Sequence, residues 1–362
     1  MARPRIVAAM SGGVDSSMAV ALLQQKGYDV IGVTMQMWEE ASTEAYGERR
    51  GSCYFVNALA DARLVAERLG IKHYVVNVSD EFQRKVVQYF CQEYASGRTP
   101  NPCTVCNSRL KFRYLLDEAR ALDANLIATG HYARLRYDAN RDRFVLLAAI
   151  DKRKDQSYVL YGLTQEQLAH ALFPLGRLTK EKTRTLAKQL GLTVAKKKDS
   201  QEICFVPDND YRAFLDKRIP TSIKPGPFLD KHGQVLGTHR GLPFYTVGQR
   251  RHLGVASGSR LYVISMNPKR NSITLGEEKA LWRHETRVEK VNWVSISAPT
   301  EPLEAMVRVR YRGIVYPARL CPKGTTAVHI RFHKPARAVA AGQAAVFYGA
   351  DDEVLGGGII SD

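Results

Sequence analysis

The chain has 362 residues, 45% of them hydrophobic and 25% charged, with 53 Lys and Arg against 36 Asp and Glu. That length exceeds one typical domain, so two or three are expected, and the composition excludes a disordered or fibrous chain. A formal charge of +17 argues against an ordinary small-molecule enzyme and points to a polyanionic partner, with nucleic acid first in line.

Strand and helix signals alternate through the first two hundred residues. Arg5 to Met10 reads as a strand, and Ser16 to Lys26 as a helix stopped by Gly27. Asp29 to Met35 is a second strand, Asn57 to Leu69 a helix, and His73 to Val78 a third strand. Leu110 to Leu122 is helical and leads into the apolar run Asn125 to Thr129. Strands separated by helices predict a parallel sheet of βαβ units, hence an α/β fold class. After Cys204 the pattern changes. Pro and Gly multiply, as in Lys224-Pro225-Gly226-Pro227, and short alternating segments follow at Leu261–Ser265, Ser272–Leu275, Met306–Tyr311, Ala327–Phe332 and Ala344–Tyr348. These predict β-rich domains or barrels. The expected division is 1–215, 216–284 and 285–362.

No run of about 18 apolar residues exists, so no membrane span is expected. Met1-Ala2-Arg3-Pro4-Arg5 leads into a short strand rather than a signal-peptide core, and a cytoplasmic location is expected. Thiols stay reduced there, so Cys53, Cys91, Cys103, Cys106, Cys204 and Cys321 do not read as a disulfide framework.

Between the first strand and helix lies Ser11-Gly12-Gly13-Val14-Asp15-Ser16-Ser17. Two glycines let the backbone approach an anion, and amides at a helix N-terminus favour phosphate. The plainer reading is a strand-to-helix turn capped by Asp15 or Ser16. The whole string resembles the PP-loop of the ATP-pyrophosphatase superfamily and lacks the GxxxxGK[ST] pattern of γ-phosphoryl transfer. That resemblance implies ATP cleaved between its α and β phosphates, with Ala9, Met10, Ser11, Gly12, Gly13, Val14, Asp15, Ser16, Met35 and Gly130 around the nucleotide. Taken alone, Met35 reads as strand core and Gly130 as a turn residue.

Cys103-Thr104-Val105-Cys106 follows Thr99-Pro100-Asn101-Pro102, which reads as a proline-bounded loop before a helix beginning near Arg109. Arg109 and Lys111 nearby are expected to favour thiolate there. A lone CxxC has no second pair to complete a zinc site, and its surroundings do not suit a thioredoxin-like motif. Cys204 closes Asp199-Ser200-Gln201-Glu202-Ile203-Cys204 after Lys196-Lys197-Lys198. Cys53, Cys91 and Cys321 read as packing. Basic stretches at Lys152–Lys154, Lys180–Arg184, Lys196–Lys198 and Arg308–Arg312, with Tyr158, Tyr161, Tyr311 and Phe244 among or near them, suggest phosphate contacts and rings that stack on unpaired bases. Taken singly, each lysine reads as part of a solvated helix face.

SGGVDSS, TPNPCTVCNSRLKF, ATGHY, KDQSYVL, DSQEICF, YTVGQRRHLGV and GQAAVFYGADDEVLGGGII, in this order, resemble the bacterial tRNA-uridine 2-sulfurtransferase family along nearly the whole chain. The resemblance implies an N-terminal PP-loop domain, a small central β-rich domain and a C-terminal β-barrel. It implies Cys106 as nucleophile and Cys204 as persulfide carrier. Asn101, Pro102 and Cys103 would line the target base, while Lys154, Asp155, Gln156, Arg310 and Tyr311 would contact tRNA. It also implies ATP with Mg²⁺, a monomer, and a sulfur donor that is a cysteine desulfurase or a persulfide relay protein. One subset of the family has Asp where this chain has Cys103. Here three thiols, Cys103, Cys106 and Cys204, are an alternative set of ligands for a [4Fe–4S] cluster with one iron left open, although four cysteines are usual. An amide-forming PP-loop ligase would share SGGVDSS without needing the cysteines, and an RNA-binding protein with a purely structural loop is the non-enzymatic alternative.

Overall fold

The structure is a computed structural model that describes residues 3–38, 51–199, 203–256 and 258–362, with the side chains of 51–56, and so Cys53, outside the description. The chain divides into two compact units. The first comprises residues 1–86, 103–209 and 350–354; the second comprises 87–102, 210–349 and 355–362.

In the first unit, β1 (Arg5–Ala9), β2 (Asp29–Gln36), β3 (His73–Asn77) and β4 (Leu126–Ala128) appear close to where the apolar runs predicted them. β5 (Ala133–Asp138) and β6 (Arg143–Ala148) form an antiparallel hairpin, and β7 (Ala171–Leu172) completes the main sheet. That sheet is parallel, in the order β3-β2-β1-β4-β7. Its strands are near-continuous apolar runs because helices cover them, as with Ile6 and Val7, both without solvent exposure. Helices α1 (Val14–Gln25) and α2 (Gly51–Leu69) contribute Met18, Val20, Ala62 and Val65 to the same core as Ile6 and Ala8. The chain runs outward from β1 through β2 to β3, then returns to β4 on the other side of β1. This reversal opens a crevice at the carboxyl ends of β1 and β4, the usual ligand position in such sheets.

In the second unit, β8 (Gly226–Leu229), β9 (Val235–His239), β10 (Tyr262–Asn267) and β11 (Ser272–Gly276) form a four-stranded sheet ordered β10-β11-β8-β9 around Phe228, Phe244 and Val263. The remaining strands are β12 (Trp282–Trp293), β13 (Leu303–Arg308), β14 (Val315–Pro322), β15 (Ala327–Arg337), β16 (Ala344–Tyr348) and β17 (Val354–Ile360). They form a closed barrel, β12-β15-β14-β13-β16-β17, filled by Val307, Leu320, Ile330 and Phe347. Closure leaves no sheet edge unpaired.

Three expectations need correction. The CxxC lies on a helix rather than in a loop: Pro102–Cys106 is α-helical, Asn107–Lys111 is a π-turn, and Phe112–Ala121 continues as α-helix. Proline suits the first helical position, where its missing N–H costs nothing. Second, helix α1 is capped by Gly13, with no side-chain cap, so neither Asp15 nor Ser16 plays that part. Third, Tyr158, Tyr161 and Phe244 are buried, so these rings pack in the interior instead of offering faces to bases.

Candidate active site

The loop after β1 is held by its own polar atoms. The Ser11 amide donates to Ser16 Oγ at 3.1 Å, and the Ser16 and Ser17 hydroxyls donate to the Gly13 carbonyl at 3.1 and 2.9 Å. Gly12 has φ +65°, and a Cβ there would lie 2.0 Å from the Ala58 carbonyl oxygen, so only glycine fits. Gly130, after β4, lies against the first turn of α1: a Cβ would stand 2.6 Å from the Ser16 nitrogen. The two loops that flank the crevice thus meet backbone to backbone. With Gly13 supplying no side-chain acceptor, the first amides of α1 remain suited to an anion. Met35 is buried on β2.

Asp15, in the first turn of α1, is committed to a cation. Lys180 Nζ lies 2.7 Å from each of its carboxylate oxygens, and Tyr132 donates its hydroxyl to Oδ1 at 3.0 Å. Lys180 is buried and also stands 2.8 Å from Asp199. With both oxygens engaged, Asp15 does not fit as a ready-made Mg²⁺ ligand. Among the described residues no group of three or more His, Cys, Asp or Glu is placed to hold a metal ion.

Cys103, Cys106 and Cys204 are free thiols close enough to act on one another's charge and on that of Lys111. The sulfurs come from segments about a hundred residues apart. Cys103 and Cys204 have solvent-exposed surface, yet dense surrounding protein disfavours their charged forms, which places them at the floor of an open recess. Burial raises all three pKa values, that of Cys204 up to about 12, while Lys111 pulls them back. The expectation of favoured thiolates is therefore reversed in the resting protein, because desolvation outweighs the cation. Burial also opposes the charge on Lys111, but the thiols outweigh it and raise its pKa. The π-turn explains how Lys111 comes to serve Cys106. In an α-helix, residues five apart point about 140° away from each other. The Phe112 amide instead bonds to the Asn107 carbonyl, five residues back, which brings the fifth residue round towards the first.

His131 links these two regions chemically. It follows Gly130, stacks on Phe112 at 6.1 Å, and shares a 2.8 Å hydrogen bond between Nδ1 and Thr129 Oγ1. Burial, then Lys111, push its pKa down to about 3, so its ring is neutral. Neither His131 nor Lys180 was singled out from sequence as a site residue. ATGHY was the available signal for His131, but nothing in the order of residues pairs Lys180 with Asp15.

The residues expected to meet tRNA are placed variously. Lys154 pairs with Asp199 at 2.6 Å. Asp155 is buried, accepting from the Ala149 and Ser157 amides at 3.0 and 3.1 Å, and Gln156 Oε1 accepts from the Tyr132 amide at 3.0 Å. Arg310 and Tyr311 belong to the second unit, on the turn after β13, with Arg310 exposed and Arg312 over the Tyr311 ring at 5.3 Å. Asn101 and Pro102 end the 87–102 segment of that unit, and Cys103 opens the following segment of the first. Cys91 is buried and Cys321 half-buried.

Three family models match the chain: a tRNA methyl transferase HUP domain over residues 4–208, a tRNA methyl transferase PRC-barrel domain over 212–277, and an aminomethyltransferase β-barrel domain over 283–360. The tRNA-specific 2-thiouridylase MnmA of Pelotomaculum thermopropionicum is 50% identical, covering 99% of this chain and 98% of that protein. That of Desulforamulus reducens is also 50% identical, covering 98% and 96%. A 4-thiouridine synthetase solved with RNA and ATP is 15% identical, with a TM-score of 0.34 over 60% of this chain and 51% of that one. Full-length identity at this level shows that the chain belongs to the tRNA-specific 2-thiouridylase family.

Proposed function

We propose that this chain is an ATP-dependent enzyme that replaces the C2 oxygen of the wobble uridine of tRNA with sulfur. The observation that carries this reading is the gathering of Cys103, Cys106 and Cys204 around Lys111, in the same unit as the nucleotide loop. The description of the first family model speaks of methyl transfer, but three thiols around a lysine suit sulfur chemistry, and the relatives carry 2-thiouridylase in their names.

In this reading the anticodon presents the uridine to the segment Asn101–Cys106, flipped out of its stack. ATP lies against residues 9–16, with Met35 and Gly130 beside it, and brings Mg²⁺ on its phosphates, consistent with the engaged Asp15. The uridine C2 oxygen attacks the α-phosphorus; an O–P bond forms and pyrophosphate leaves. Cys204 receives a persulfide from a cysteine desulfurase or a relay protein. Its terminal sulfur attacks C2 and AMP departs. Cys106 then attacks the Cys204 sulfur, which releases 2-thiouridine, forms a Cys106–Cys204 disulfide, and leaves the chain to be reopened by a thiol reductant. Lys111 offsets negative charge on these sulfurs. Lys154, Asp155 and Gln156, with Arg310 and Tyr311, are proposed to position the tRNA, and the net charge of +17 supports such contacts. We take the chain as a cytoplasmic monomer with domains 1–215, 216–284 and 285–362.

Incubation with tRNA, ATP and a persulfide donor, followed by nucleoside mass spectrometry, tests the reading. Cys106→Ser and Cys204→Ser are each expected to abolish 2-thiouridine, while tRNA-dependent pyrophosphate release survives in at least one of them. Thiolation in either variant would falsify the assignment. A second reading, in which Cys103, Cys106 and Cys204 hold a [4Fe–4S] cluster that carries the sulfur, is favoured by the third thiol at Cys103. Iron content and visible absorbance after anaerobic purification separate the two: activity without iron supports the persulfide route. An amide-forming ligase would release pyrophosphate without tRNA.

A further inference from the structure

Asp199 opens the arm that leads to Cys204, and three cations meet on its carboxylate. Lys154 Nζ stands 2.6 Å from Oδ2, while Lys180 Nζ and Arg184 Nη2 stand 2.8 and 2.6 Å from Oδ1. Burial opposes the charge on Asp199, but the hydrogen bonds and charges of Lys154 and Lys180 hold its pKa down to about 2. Lys180 reaches the nucleotide loop as well, through both oxygens of Asp15. Two residues before Asp199, Lys197 donates to the Gly12 carbonyl at 3.0 Å and pairs with Asp61 at 2.6 Å. The stretch 197–199 therefore grips the nucleotide loop at both ends, by Gly12 directly and by Asp15 through Lys180.

Stability does not account for this arrangement. Burying an ammonium between two carboxylates yields little net free energy, because desolvation offsets the attraction; what it gives is a fixed geometry. That geometry has a nearby beneficiary. Cys204 lies five residues beyond Asp199, and a chain spans at most about 3.6 Å per residue, so the thiol cannot stray more than roughly 20 Å from the anchor.

We propose that Asp199 and Lys180 are positioning residues that set the Cys204 arm against the nucleotide loop, so that sulfur arrives where the activated base is held. The functional part of this inference rests on the sulfur-transfer reading above. Neither residue needs to touch a reacting atom: Asp199 acts through Lys180, and Lys180 through Asp15. The arrangement also assigns Asp199 a task separable from nucleotide binding, since its contacts with the loop are indirect.

The test uses the full chain with Asp199→Asn and Asp199→Glu. The first readout is independent of activity: the rate at which diamide captures a Cys106–Cys204 disulfide, followed by peptide mass spectrometry. Asp199→Asn is expected to slow capture at least fivefold, and Asp199→Glu to restore most of it. The second readout splits the reaction. Asp199→Asn should release pyrophosphate in the presence of tRNA at within about twofold of the unmodified rate, yet form 2-thiouridine at least tenfold more slowly at saturating tRNA. Unchanged disulfide capture overturns the inference, as does an equal fall in both half-reactions without rescue by glutamate. An unmodified protein that makes no 2-thiouridine would refute the sulfur-transfer reading instead, and disulfide capture would still decide whether the arm is held by Asp199.

Discussion

Each thiol of the recess feels two opposed influences, loss of hydration and the Lys111 ammonium, and hydration loss is the larger. All three therefore rest as protonated sulfur at neutral pH, with Cys204 furthest from ionisation. Alkylation by iodoacetamide should rise about tenfold per pH unit from pH 7 to 9 without a plateau, because only the thiolate reacts. Lys111→Gln removes the favourable charge and should slow alkylation of each cysteine further at every pH. A plateau below pH 8, read by mass spectrometry of the labelled peptides, would contradict this ordering. His131 has the reverse sensitivity. Its folded pKa of about 3 lies below the ordinary value of 6.5, so the unfolded chain binds the extra proton. Its contribution to stability is complete above pH 6.5 and is lost progressively as pH falls towards 3. His131→Gln should flatten that part of the acid-denaturation profile.

At the level of elements, the parallel sheet was legible because buried strands are written as continuous apolar runs, as in Arg5–Ala9 and Asp29–Gln36. The β5–β6 hairpin went unread because its turn, Ala139-Asn140-Arg141-Asp142, sits inside a stretch with little alternation. Most of β12 was equally silent: the first four residues of Trp282–Trp293 are all exposed, and alternation starts only at Thr286. The candidate site was partly legible. Glycines and cysteines announce themselves by type and spacing, whereas the Asp15–Lys180–Asp199 chain exists only once distant helices and loops are folded together. The nucleotide loop gives a sharp expectation at this scale. Gly130→Ala would push a methyl group to 2.6 Å from the Ser16 nitrogen and 2.7 Å from the Asp15 carbonyl carbon. ATP affinity, measured by titration calorimetry, should fall at least ~10-fold as the loop is displaced, since backbone there cannot yield as a side chain can. The unmodified melting temperature with unmodified ATP affinity would rule out this close approach.

Across the whole molecule, the compact units do not follow the order of the chain. Phe90 and Tyr94, from the first hundred residues, pack in the second unit against Phe214 at 6.1 Å and Tyr211 at 5.2 Å. The Thr99 amide bonds to the Ala341 carbonyl at 2.8 Å, and Gln343 donates to the Thr99 carbonyl at 3.0 Å. A fragment comprising 210–362 should therefore melt well below the intact protein, with burial of Phe90 alone contributing about 1.5–3 kcal/mol. Adding a peptide of residues 87–102 should raise its Tm, and a fragment indifferent to that peptide would show the segment to be dispensable. The exchange runs in the other direction too. Glu353, buried in the first unit, pairs with Arg141 at 2.5 Å and bridges Leu147 on the hairpin, while Asp352 pairs with Lys152. During synthesis the ATP-binding unit can gather its sheet early, but its hairpin must wait for nearly the last residues to leave the ribosome. A nascent chain stalled before residue 350 would carry the nucleotide loop and all the thiols yet lack the clasp that finishes the body around them.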